Sequence, residues 1–368
     1  MQVTAAVSRE AGADFSVEKL ELEDPRDNEV LVRIVGVGVC HTDIAARDQA
    51  LPTGLPAVLG HEGAGVVEKV GAAVTSVKAG DHVVLSYTFC EQCAPCEHDH
   101  HNYCQQFVPL NMVGVRADGT KAYKSADGEA VSSHFFGQSS FSSYALASEN
   151  NVVKVRNDAP LELLGPLGCG IQTGAGTFMR SMACEAGSAV AVTGGGAVGL
   201  AAVLGAVAQG CSTIIVVEPH ANRRELALEV GATHVIDPFA GDVTEQIRAI
   251  VPNGLNYALD TTAKNVVISA LVSSMAAGGV IGAVGVPASE DDAVIKLDVM
   301  TLLTVGVQFK GICEGDADPA EFIPVMVDLF MEGRFPFDKL CNFYEFDQIN
   351  AAVADQHSGK SIKAILKL

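Results

Sequence analysis

Four cysteines in one short polar segment have the spacing of a metal site. The segment is CEQCAPCEHDHHNYC, and its cysteines are Cys90, Cys93, Cys96 and Cys104. Four thiolates close a tetrahedral zinc site without leaving a coordination position for a substrate, so a site of this kind is structural. Because the cysteines complete the ligand set, we interpret the histidines of the segment as solvated loop residues; they are His98, His100 and His101.

Two further cysteines and one histidine lie far apart along the chain, in the sequences CHTD, GHEG and GCG. They are Cys40, His61 and Cys169, and no spacing rule links them. Two thiolates and an imidazole would supply the three protein ligands of a catalytic zinc ion, which keeps one position open. Taken singly, each has an ordinary alternative, namely a buried thiol at a strand end, a loop histidine and a small residue in a turn.

A glycine-rich turn stands between a predicted strand, AVAVT, and a predicted helix, AVGLAAVLGAVAQ. Gly194, Gly196 and Gly199 occupy the glycine positions of G-x-G-x-x-G. These glycines permit a tight turn, a close approach of the backbone to a pyrophosphate, and close packing of helix on strand. The free N–H groups of the helix N-terminus favour an anion. The motif predicts a dinucleotide site, and a similar turn that binds no cofactor is the alternative.

An acidic residue ends the next predicted strand, TIIVV. Glu218 can accept hydrogen bonds from both ribose hydroxyls of NAD and would repel the additional phosphate of NADP. Arg223 and Arg224 follow nearby and favour NADP. We predict NAD as the cofactor and keep NADP as the alternative.

The composition indicates a protein with a well-buried core and an acidic surface. The chain has 368 residues, 48% of them hydrophobic, and a formal net charge of −20. This length suits two domains, and the negative charge disfavours nucleic acid and anionic membranes as partners. Cysteines with metal spacing and an N-terminus without a signal-peptide pattern predict a cytoplasmic location. The stretch Ser188–Val217 has no charged residue, as in a membrane-spanning helix. Its glycines instead favour a strand, a turn, a helix and a second strand.

The pattern of elements predicts two domains. Early strands are predicted at Val30–Val37, Gly63–Val70 and Asp81–Leu85. From about Gly170 strands alternate with helices; the strands are Ala189–Thr193, Thr213–Val217, His234–Ile236, Tyr257–Asp260, Val280–Val284 and Val305–Phe309. The intervening helices are Ala197–Gln209, Arg223–Val230, Val243–Val251 and Asn265–Ala276. Alternation of this kind predicts a doubly wound parallel sheet. The tail is predicted as helices Ala320–Glu332 and Phe346–Asp355 and a strand Lys360–Leu368 that packs on the first domain.

The chain resembles the zinc-containing medium-chain alcohol dehydrogenases over nearly its full length. GHEGAGVVEKVGAAVTSVKAGDHVV is similar to the zinc signature of that family, and the four-cysteine segment is similar to its structural zinc lobe. GPLGCGIQTGAGT, HFFGQSSFSSYALASENNVVKV and GRFPFDKL resemble the aryl-alcohol (benzyl-alcohol) branch. The resemblance implies an α/β protein with a GroES-like β catalytic domain, residues 1–170 and 310–368, and a Rossmann NAD-binding domain, residues 171–309. The active site would lie in the cleft between them.

The resemblance also implies an activity and roles for particular residues. The reaction would be reversible, zinc-assisted hydride transfer from a primary alcohol, aromatic or allylic, to NAD. The catalytic zinc would be held by Cys40, His61 and Cys169, with Glu62 close to the metal. Asp43 would orient the histidine, and Thr42 would take the alcohol proton. Cofactor contacts would fall on His41, Gly194, Gly196, Gly199, Glu218, Arg223 and Lys363, and the substrate pocket would include Ser86, Phe135, Phe136 and Val286.

Several positions depart from the family pattern. Ala45 stands where a basic side chain commonly ends the proton relay, His41 replaces an arginine, and Glu218 replaces the commoner Asp. Ser86 stands where ethanol-type enzymes commonly have a bulky aromatic residue, and a small residue there leaves room for a ring. Phe135 and Phe136 could instead be packing residues.

The alternatives within the enzyme class are a general aliphatic alcohol dehydrogenase and a glutathione-linked formaldehyde dehydrogenase. A zinc- and NAD-binding sensor without catalysis is the alternative from another class, and the complete ligand set argues against it and against a zinc-free reductase. We expect two zinc ions per chain, NAD, a small alcohol or aldehyde as substrate, and a homodimer or homotetramer.

Overall fold

The computed structural model describes residues 1–287 and 291–368. The contacts divide the chain into two compact units. Unit 1 consists of Met1–Cys169, Asp318–Glu332 and Leu340–Leu368, and unit 2 consists of Gly170–Ala317 and Gly333–Lys339. The domain boundaries predicted from the sequence stay a prediction.

Strands and helices are numbered along the chain. The strands are β1 Gln2–Ser8, β2 Ser16–Leu22, β3 Glu29–Gly38, β4 Ala57–Val58, β5 Glu62–Val70, β6 His82–Leu85, β7 Tyr123–Lys124, β8 Ala130–Val131, β9 Tyr144–Ser148, β10 Val152–Lys154, β11 Ala189–Thr193, β12 Thr213–Val217, β13 His234–Ile236, β14 Leu255–Asp260, β15 Met275–Ala283, β16 Gln308–Gly311, β17 Cys341–Glu345 and β18 Lys363–Lys367. The α-helices are α1 His41–Arg47, α2 Phe107–Asn111, α3 Gly170–Gly176, α4 Ala197–Ala208, α5 Ala221–Glu229, α6 Val243–Ile250, α7 Asn265–Ser274, α8 Val299–Val305, α9 Pro319–Met331 and α10 Ile349–His357.

Unit 1 contains two β-sheets. One has the strand order β4-β1-β2-β7-β8, and the other has the order β10-β6-β5-β3-β18-β17 with β9 paired to β3. β3 is rich in valine and pairs antiparallel with β5, β9 and β18. Nearly all of its residues are buried, because the strand lies in a hydrophobic core that also contains Val7 and Phe141. Strands β3, β5 and β6 were predicted from the sequence, whereas β1 and β2 were not, because polar residues interrupt the apolar ones in them.

The end of β3 is shaped by one glycine. Gly38 lies opposite Glu62, the first residue of β5. A Cβ atom at position 38 would overlap the Glu62 carboxylate. Glycine at this position therefore leaves room for a fully buried acidic side chain between the two strands.

Unit 2 contains a parallel sheet with the strand order β13-β12-β11-β14-β15-β16. Every neighbouring pair in this sheet is parallel. The order reverses beside β11, and ligands of doubly wound sheets bind where the strand order reverses, at the carboxyl ends of the strands. The strand that ends there is the one followed by the glycine-rich turn. The sheet confirms the doubly wound fold predicted from the sequence.

The uncharged stretch from Ser188 to Val217 forms β11, α4 and β12. Its side chains are mostly buried because the sheet and its helices cover one another. Gly199 is required for this packing, since a Cβ atom there would overlap the carbonyl oxygen of Gly194. Among the described residues, no helix has both the length and the apolar character needed to span a membrane.

The last strand of unit 2 differs from the prediction. We predicted a strand near Val305–Phe309, whereas Val305 ends α8 and the strand is Gln308–Gly311. Asp298 caps α8 by accepting a hydrogen bond from the N–H of Thr301, 2.6 Å away, and Gly306 ends it with a φ of 67°. An Asp cap and a glycine stop outweigh the β-propensity of the valines between them.

Candidate functional site

Cys40, His61 and Cys169 come together in unit 1. Cys40 precedes α1, His61 precedes β5, and Cys169 follows the turn that leads out of unit 1. Their ligand atoms all lie within 4.8 Å of one another. The three side chains that no spacing rule links in the sequence therefore form one cluster with the chemistry of a three-ligand zinc site.

Asp43 fixes two members of this cluster. Its carboxylate is fully buried and lies 2.7 Å from Nδ1 of His61. The same carboxylate accepts hydrogen bonds from the backbone N–H of Cys40, at 2.9 Å, and of Gly60, at 3.1 Å. Because Nδ1 is engaged by a carboxylate, Nε2 is the nitrogen left for a metal, which is the usual arrangement of a ligating histidine.

Nε2 of His61 has the environment of a metal ligand. It is buried, and among the described residues it has no nitrogen or oxygen partner. A buried polar atom without a partner is costly, so a group that the protein binds is the expected explanation. The atoms within reach are the sulfurs of Cys40 and Cys169. The donor set therefore fits zinc, with two soft thiolates and one imidazole.

The electrostatics of the cluster favour the ligand form of Cys40. A hydrogen bond with Cys169 and the charges of Lys363 and His61 lower the pKa of the Cys40 thiol well below its usual value, against the opposing effect of burial. Burial opposes protonation of His61, but the Asp43 carboxylate raises the pKa of the imidazole well above its usual value. The thiolate is the species that binds metal.

Glu62 and Lys363 form a buried ion pair beside the cluster. The Lys363 ammonium lies 2.8 and 2.9 Å from the two carboxylate oxygens and also donates to the carbonyl of Val39 at 3.1 Å. Burial raises the pKa of Glu62 to about 7, against the opposing charge of Lys363. The Glu62 carboxylate thus faces a lysine in this structure. Its approach to a metal, and the contact of Lys363 with a cofactor diphosphate, stay predictions.

The residues that follow Cys40 differ in exposure. The Thr42 hydroxyl lies 3.7 Å from the Cys40 sulfur. His41 is exposed, and Thr42 and Ala45 are half-buried. The hydroxyl predicted to move a proton is therefore adjacent to a predicted zinc ligand.

Aromatic rings surround His61. The ring of Phe136 stacks on the imidazole at 4.4 Å between centroids, and the ring of Phe135 meets it edge-on at 5.5 Å. Both rings are buried. Ser86 is also buried, and its hydroxyl donates to the carbonyl of Gly168 at 2.6 Å. Three of the four predicted pocket residues thus lie in unit 1 next to the ligand segments, whereas Val286 is 77% exposed in unit 2.

The four-cysteine segment also forms one cluster. The ligand atoms of Cys90, Cys93, Cys96 and Cys104 all lie within 4.8 Å of one another. Backbone N–H groups of Gln105 and Gln106 approach the sulfurs of Cys93 and Cys104 at 3.4 and 3.3 Å. The hydrogen bond from Gln105 is the main cause that lowers the pKa of Cys93 to about 6. The arrangement fits a closed structural zinc site.

The three histidines of this segment are not part of the cluster of sulfur atoms. His98 and His100 are exposed, and Nδ1 of His98 lies 2.8 Å from the carbonyl of Ala94. His101 is half-buried and stacks on Phe89 with 3.9 Å between ring centroids. Within residues 1–287 and 291–368, none of the three belongs to a group that could hold a metal.

A cavity of about 860 Å³ lies in unit 2 beside the glycine-rich turn. The residues predicted to bind the cofactor that line it are Gly194, Gly196, Glu218 and Arg223. The Glu218 carboxylate accepts hydrogen bonds from the N–H of Gly195, at 2.6 Å, and of His220, at 2.8 Å. The helix that follows starts with no side-chain cap, so its N–H groups are left for an anion.

Gln138 was not predicted from the sequence as a residue of this site. This amide is buried, and it donates to the carbonyls of His61 and Ser86 at 3.0 and 2.7 Å. Its partners lie more than fifty positions earlier in the chain. No local spacing could have indicated the role, because the contacts depend on how three distant segments fold together.

Known proteins match the chain along nearly its whole length. Residues 26–157 match the family described as alcohol dehydrogenase GroES-like domain, and residues 197–332 match the family described as zinc-binding dehydrogenase. The geraniol dehydrogenase of Castellaniella defragrans is 49% identical over 98% of this chain and 96% of its own length.

Two solved structures are also similar. An alcohol dehydrogenase zinc-binding domain protein from Burkholderia ambifaria is 52% identical, with a TM-score of 0.98 over 100% of this chain and 99% of its own. The benzyl alcohol dehydrogenase of Acinetobacter calcoaceticus is 43% identical, with a TM-score of 0.96 over the same shares of the two chains. These likenesses confirm the family and the fold that the sequence motifs implied. The chain belongs to the zinc-dependent medium-chain alcohol dehydrogenases, enzymes with a GroES-like domain and a Rossmann domain that oxidise alcohols.

Proposed function

We propose that this protein oxidises an allylic or benzylic primary alcohol to its aldehyde, with NAD as the hydride acceptor. One zinc ion would be held by Cys40, His61 and Cys169, and a second by the four-cysteine cluster. The observation that carries the proposal is the buried Nε2 of His61, which faces two thiols and has no nitrogen or oxygen partner among the described residues.

The side chains around the first cluster support a role in alcohol oxidation. Zinc, when bound, supplies a Lewis acid that lowers the pKa of an alcohol hydroxyl. Asp43 keeps the imidazole oriented, and a zinc ion held by the two sulfurs and Nε2 would have one position open for an oxygen ligand. Phe135 and Phe136 cover the His61 ring and exclude water from it.

We assign the transfer of the alcohol proton to the hydroxyl of Thr42. Its hydroxyl lies next to the Cys40 sulfur and can accept the alcohol proton while donating its own onward. Ala45 carries no basic group, so the onward acceptor is not residue 45. We propose that the ribose hydroxyls of the cofactor receive the proton.

The cavity in unit 2 supports a dinucleotide with an unphosphorylated ribose. The turn at Gly194 and Gly196 would hold the diphosphate, and Glu218 would face the ribose. Arg224 is already engaged, because it donates to the carbonyls of Glu218 and Pro219 at 2.7 Å and pairs with Asp237 at 3.1 Å. Arg223 is therefore the remaining cation that could pair with the additional phosphate of NADP. The Glu218 carboxylate beside it would repel that phosphate, which favours NAD.

The substrate class follows from pocket chemistry and from the relatives. Ser86 is small and buried, and the rings of Phe135 and Phe136 pack on the His61 imidazole. The Ser86 hydroxyl is engaged by Gly168, so its volume matters more than its polarity. The similar proteins are named for geraniol and for benzyl alcohol, which share an unsaturated carbon beside the carbinol. Val286, the fourth predicted pocket residue, lies in unit 2 and stays a prediction.

The test is NADH formation by the zinc-loaded protein on benzyl alcohol, geraniol and ethanol. We expect kcat/KM on benzyl alcohol or geraniol to exceed that on ethanol by at least about tenfold, as burial of one or two more carbon groups would give. Ser86→Phe should reverse the preference. A preference of the wild type for ethanol would favour an aliphatic enzyme and contradict the assigned class.

A second measurement tests the cofactor. We expect NAD to be preferred over NADP, and Glu218→Gln to weaken NAD use about tenfold, since hydrogen bonds to charged groups contribute about 1.5–3 kcal/mol. Equal use of the two cofactors by the wild type would contradict the assignment.

We also propose that the chain self-associates into a dimer or tetramer. Helix α8 exposes Val299, Met300 and Leu303, each more than 60% accessible. Exposed apolar groups on one helix favour a protein partner. Light scattering on the wild type and on Leu303→Glu tests this, with a smaller particle expected for the variant.

A further inference from the structure

A strained loop is buried beside His61. Three non-glycine residues between positions 134 and 139 have left-handed backbone angles, with φ values of 58° at His134, 52° at Phe136 and 57° at Ser139. Every residue from Ser132 to Ser142 is buried, so the surrounding structure encloses the whole loop. Such conformations persist only where neighbouring groups fix them, and they cluster at functional sites.

Gln138 links this loop to the segment that carries His61. Its Nε2 donates to the carbonyl of His61 at 3.0 Å and to the carbonyl of Ser86 at 2.7 Å. Its Oε1 accepts from the N–H of Gly63 at 3.2 Å. The side chain is 1% exposed, so these bonds are made away from water. One amide therefore joins the start of β5 to the segment after β6.

Ser86 continues the connection to the third ligand segment. Its hydroxyl donates to the carbonyl of Gly168, which precedes Cys169. A Cβ atom at Gly168 would overlap the carbonyl oxygen of Leu85, so the two backbones are in direct contact. A continuous line of hydrogen bonds thus runs from the backbone of His61 through Gln138 and Ser86 to the residue before Cys169.

We propose that Gln138 and Ser86 are positioning residues that set the spacing between His61 and Cys169 and so retain the catalytic zinc. The inference rests on the proposed zinc site at Cys40, His61 and Cys169. Asp43 fixes the orientation of the imidazole, whereas Gln138 fixes the backbone that carries it. A tetrahedral site tolerates little change in the distance between ligands, so loss of the amide would loosen the metal.

The test is the rate at which zinc passes from the full-length protein to a chromogenic chelator. The wild type should carry two zinc ions per chain. Gln138→Met keeps the length of the side chain and removes its hydrogen bonds, so one zinc should leave about tenfold faster, the lower end of the range for groups that support metal ligands. The other zinc, in the four-cysteine cluster, serves as the internal reference and should leave at the wild-type rate.

Asn111→Leu is the matched control. Asn111 is a fully buried amide that donates to the carbonyls of Thr88 and Phe107, at 2.9 and 2.8 Å, and accepts from the N–H of Thr88 at 2.9 Å. Its loss removes a similar set of bonds, none of which involves Cys40, His61, Cys169 or the line from Gln138 through Ser86 to Gly168. We expect a comparable loss of thermal stability and an unchanged release of the catalytic zinc.

Two further measurements keep the test decisive. Ser86→Ala removes one hydrogen bond and little volume, so it should fold even where Gln138→Met does not, and should speed release about threefold. In protein loaded with cobalt, the visible ligand-field bands of the catalytic site should shift in Gln138→Met and not in Asn111→Leu.

The outcomes separate this inference from the proposed function. Wild-type protein that binds zinc only in the four-cysteine cluster would overturn the proposed site and this inference with it. Wild-type protein with two zinc ions, and wild-type release rates and cobalt spectra in both Gln138→Met and Ser86→Ala, would overturn the positioning role alone. Equal acceleration by Gln138→Met and Asn111→Leu would also overturn it, since the effect would then be general destabilisation.

Discussion

The two cysteine clusters of unit 1 differ in how their ligands are brought together. The four sulfurs of the Cys90–Cys104 segment come from one short loop that is partly exposed, and backbone N–H groups of the same loop support them. Cys40, His61 and Cys169 come from three distant segments, and a buried carboxylate supports two of them. The first cluster depends on local chain geometry, whereas the second depends on the folded sheets.

This difference fits the chemistry proposed for each site. A closed set of four thiolates holds a metal without a position for a substrate. A set of three ligands keeps one position open, and its surroundings must exclude water and hold each ligand in place. The buried rings around His61 and the orphaned Nε2 belong to the second case.

The largest expected effect separates the two clusters by function. Cys169→Ala should lower kcat/KM at least about a thousandfold, because Lewis-acid stabilisation contributes several kcal/mol and each 1.36 kcal/mol is a factor of ten. Cys96→Ala should instead lower the melting temperature while the folded fraction keeps most of its activity. Activity assays and calorimetry on both variants test this. Similar activity losses per folded molecule would contradict the division of roles.

The next effect concerns the support of the buried cluster. Asp43→Asn keeps the shape of the side chain and removes its charge, so zinc affinity or kcat should fall about 10- to 100-fold. Competition with a chelator and steady-state rates provide the measurement. A variant with wild-type metal affinity and wild-type kcat would show that Asp43 does not orient His61.

The next prediction concerns Glu29, a buried carboxylate near the loop that carries the rings on His61. Glu29 accepts from Arg116 at 2.6 and 3.1 Å and lies 3.1 Å from Nε2 of His134, which precedes the two rings on His61. Burial opposes ionisation of Glu29, but the hydrogen bonds of His134 and Arg116 lower its pKa to about 2. Burial likewise lowers the pKa of His134, against the pull of Glu29.

Both shifts have the same sign for stability. The unfolded chain binds more protons than the folded one, so the protein loses stability as the pH is lowered. For Glu29 the loss occurs between its usual pKa of about 4.5 and about 2. The loss for this carboxyl is on the order of 3 kcal/mol. In Glu29→Gln this part of the pH dependence should disappear from urea unfolding measured between pH 6 and 3. Asp118→Asn, which alters an exposed pair with Arg26, is the control and should change little. Parallel pH profiles for wild type and Glu29→Gln would contradict the prediction.

The smallest expected effect concerns His41, which lies in the same helical turn as Asp43. Asp43 is buried, whereas His41 is exposed and stands where the family commonly has arginine. A permanent charge beside the diphosphate would hold the reduced cofactor longer, so His41→Arg should slow NADH dissociation a few-fold. Stopped-flow fluorescence of NADH measures the rate. An unchanged rate would show that His41 does not contact the diphosphate.

Much of unit 2 could be predicted from the sequence because its signals are local. Strand β11 and the start of α4 were predicted where they occur, since β-branched runs, glycines and a helix pattern follow in order. The strand β16 was misplaced because the same run of apolar residues suits a helix and a strand, and the cap at Asp298 decided between them. In unit 1, polar residues interrupt the apolar ones in β1 and β2, so neither strand has a clear local pattern. The two strands pair as an antiparallel hairpin, and β1 also pairs with the distant β4.

By itself the sequence determined the four-cysteine cluster, the glycine-rich turn with its following acid, and membership of a family through motifs. Each of these depends on residues close together in the chain. Only the tertiary structure decided that Lys363 pairs with Glu62 in a buried position and that Gln138 ties His61 to Ser86. These contacts join segments that sheet pairing brings together, and burial makes each polar group take a partner from whichever segment lies nearest in space.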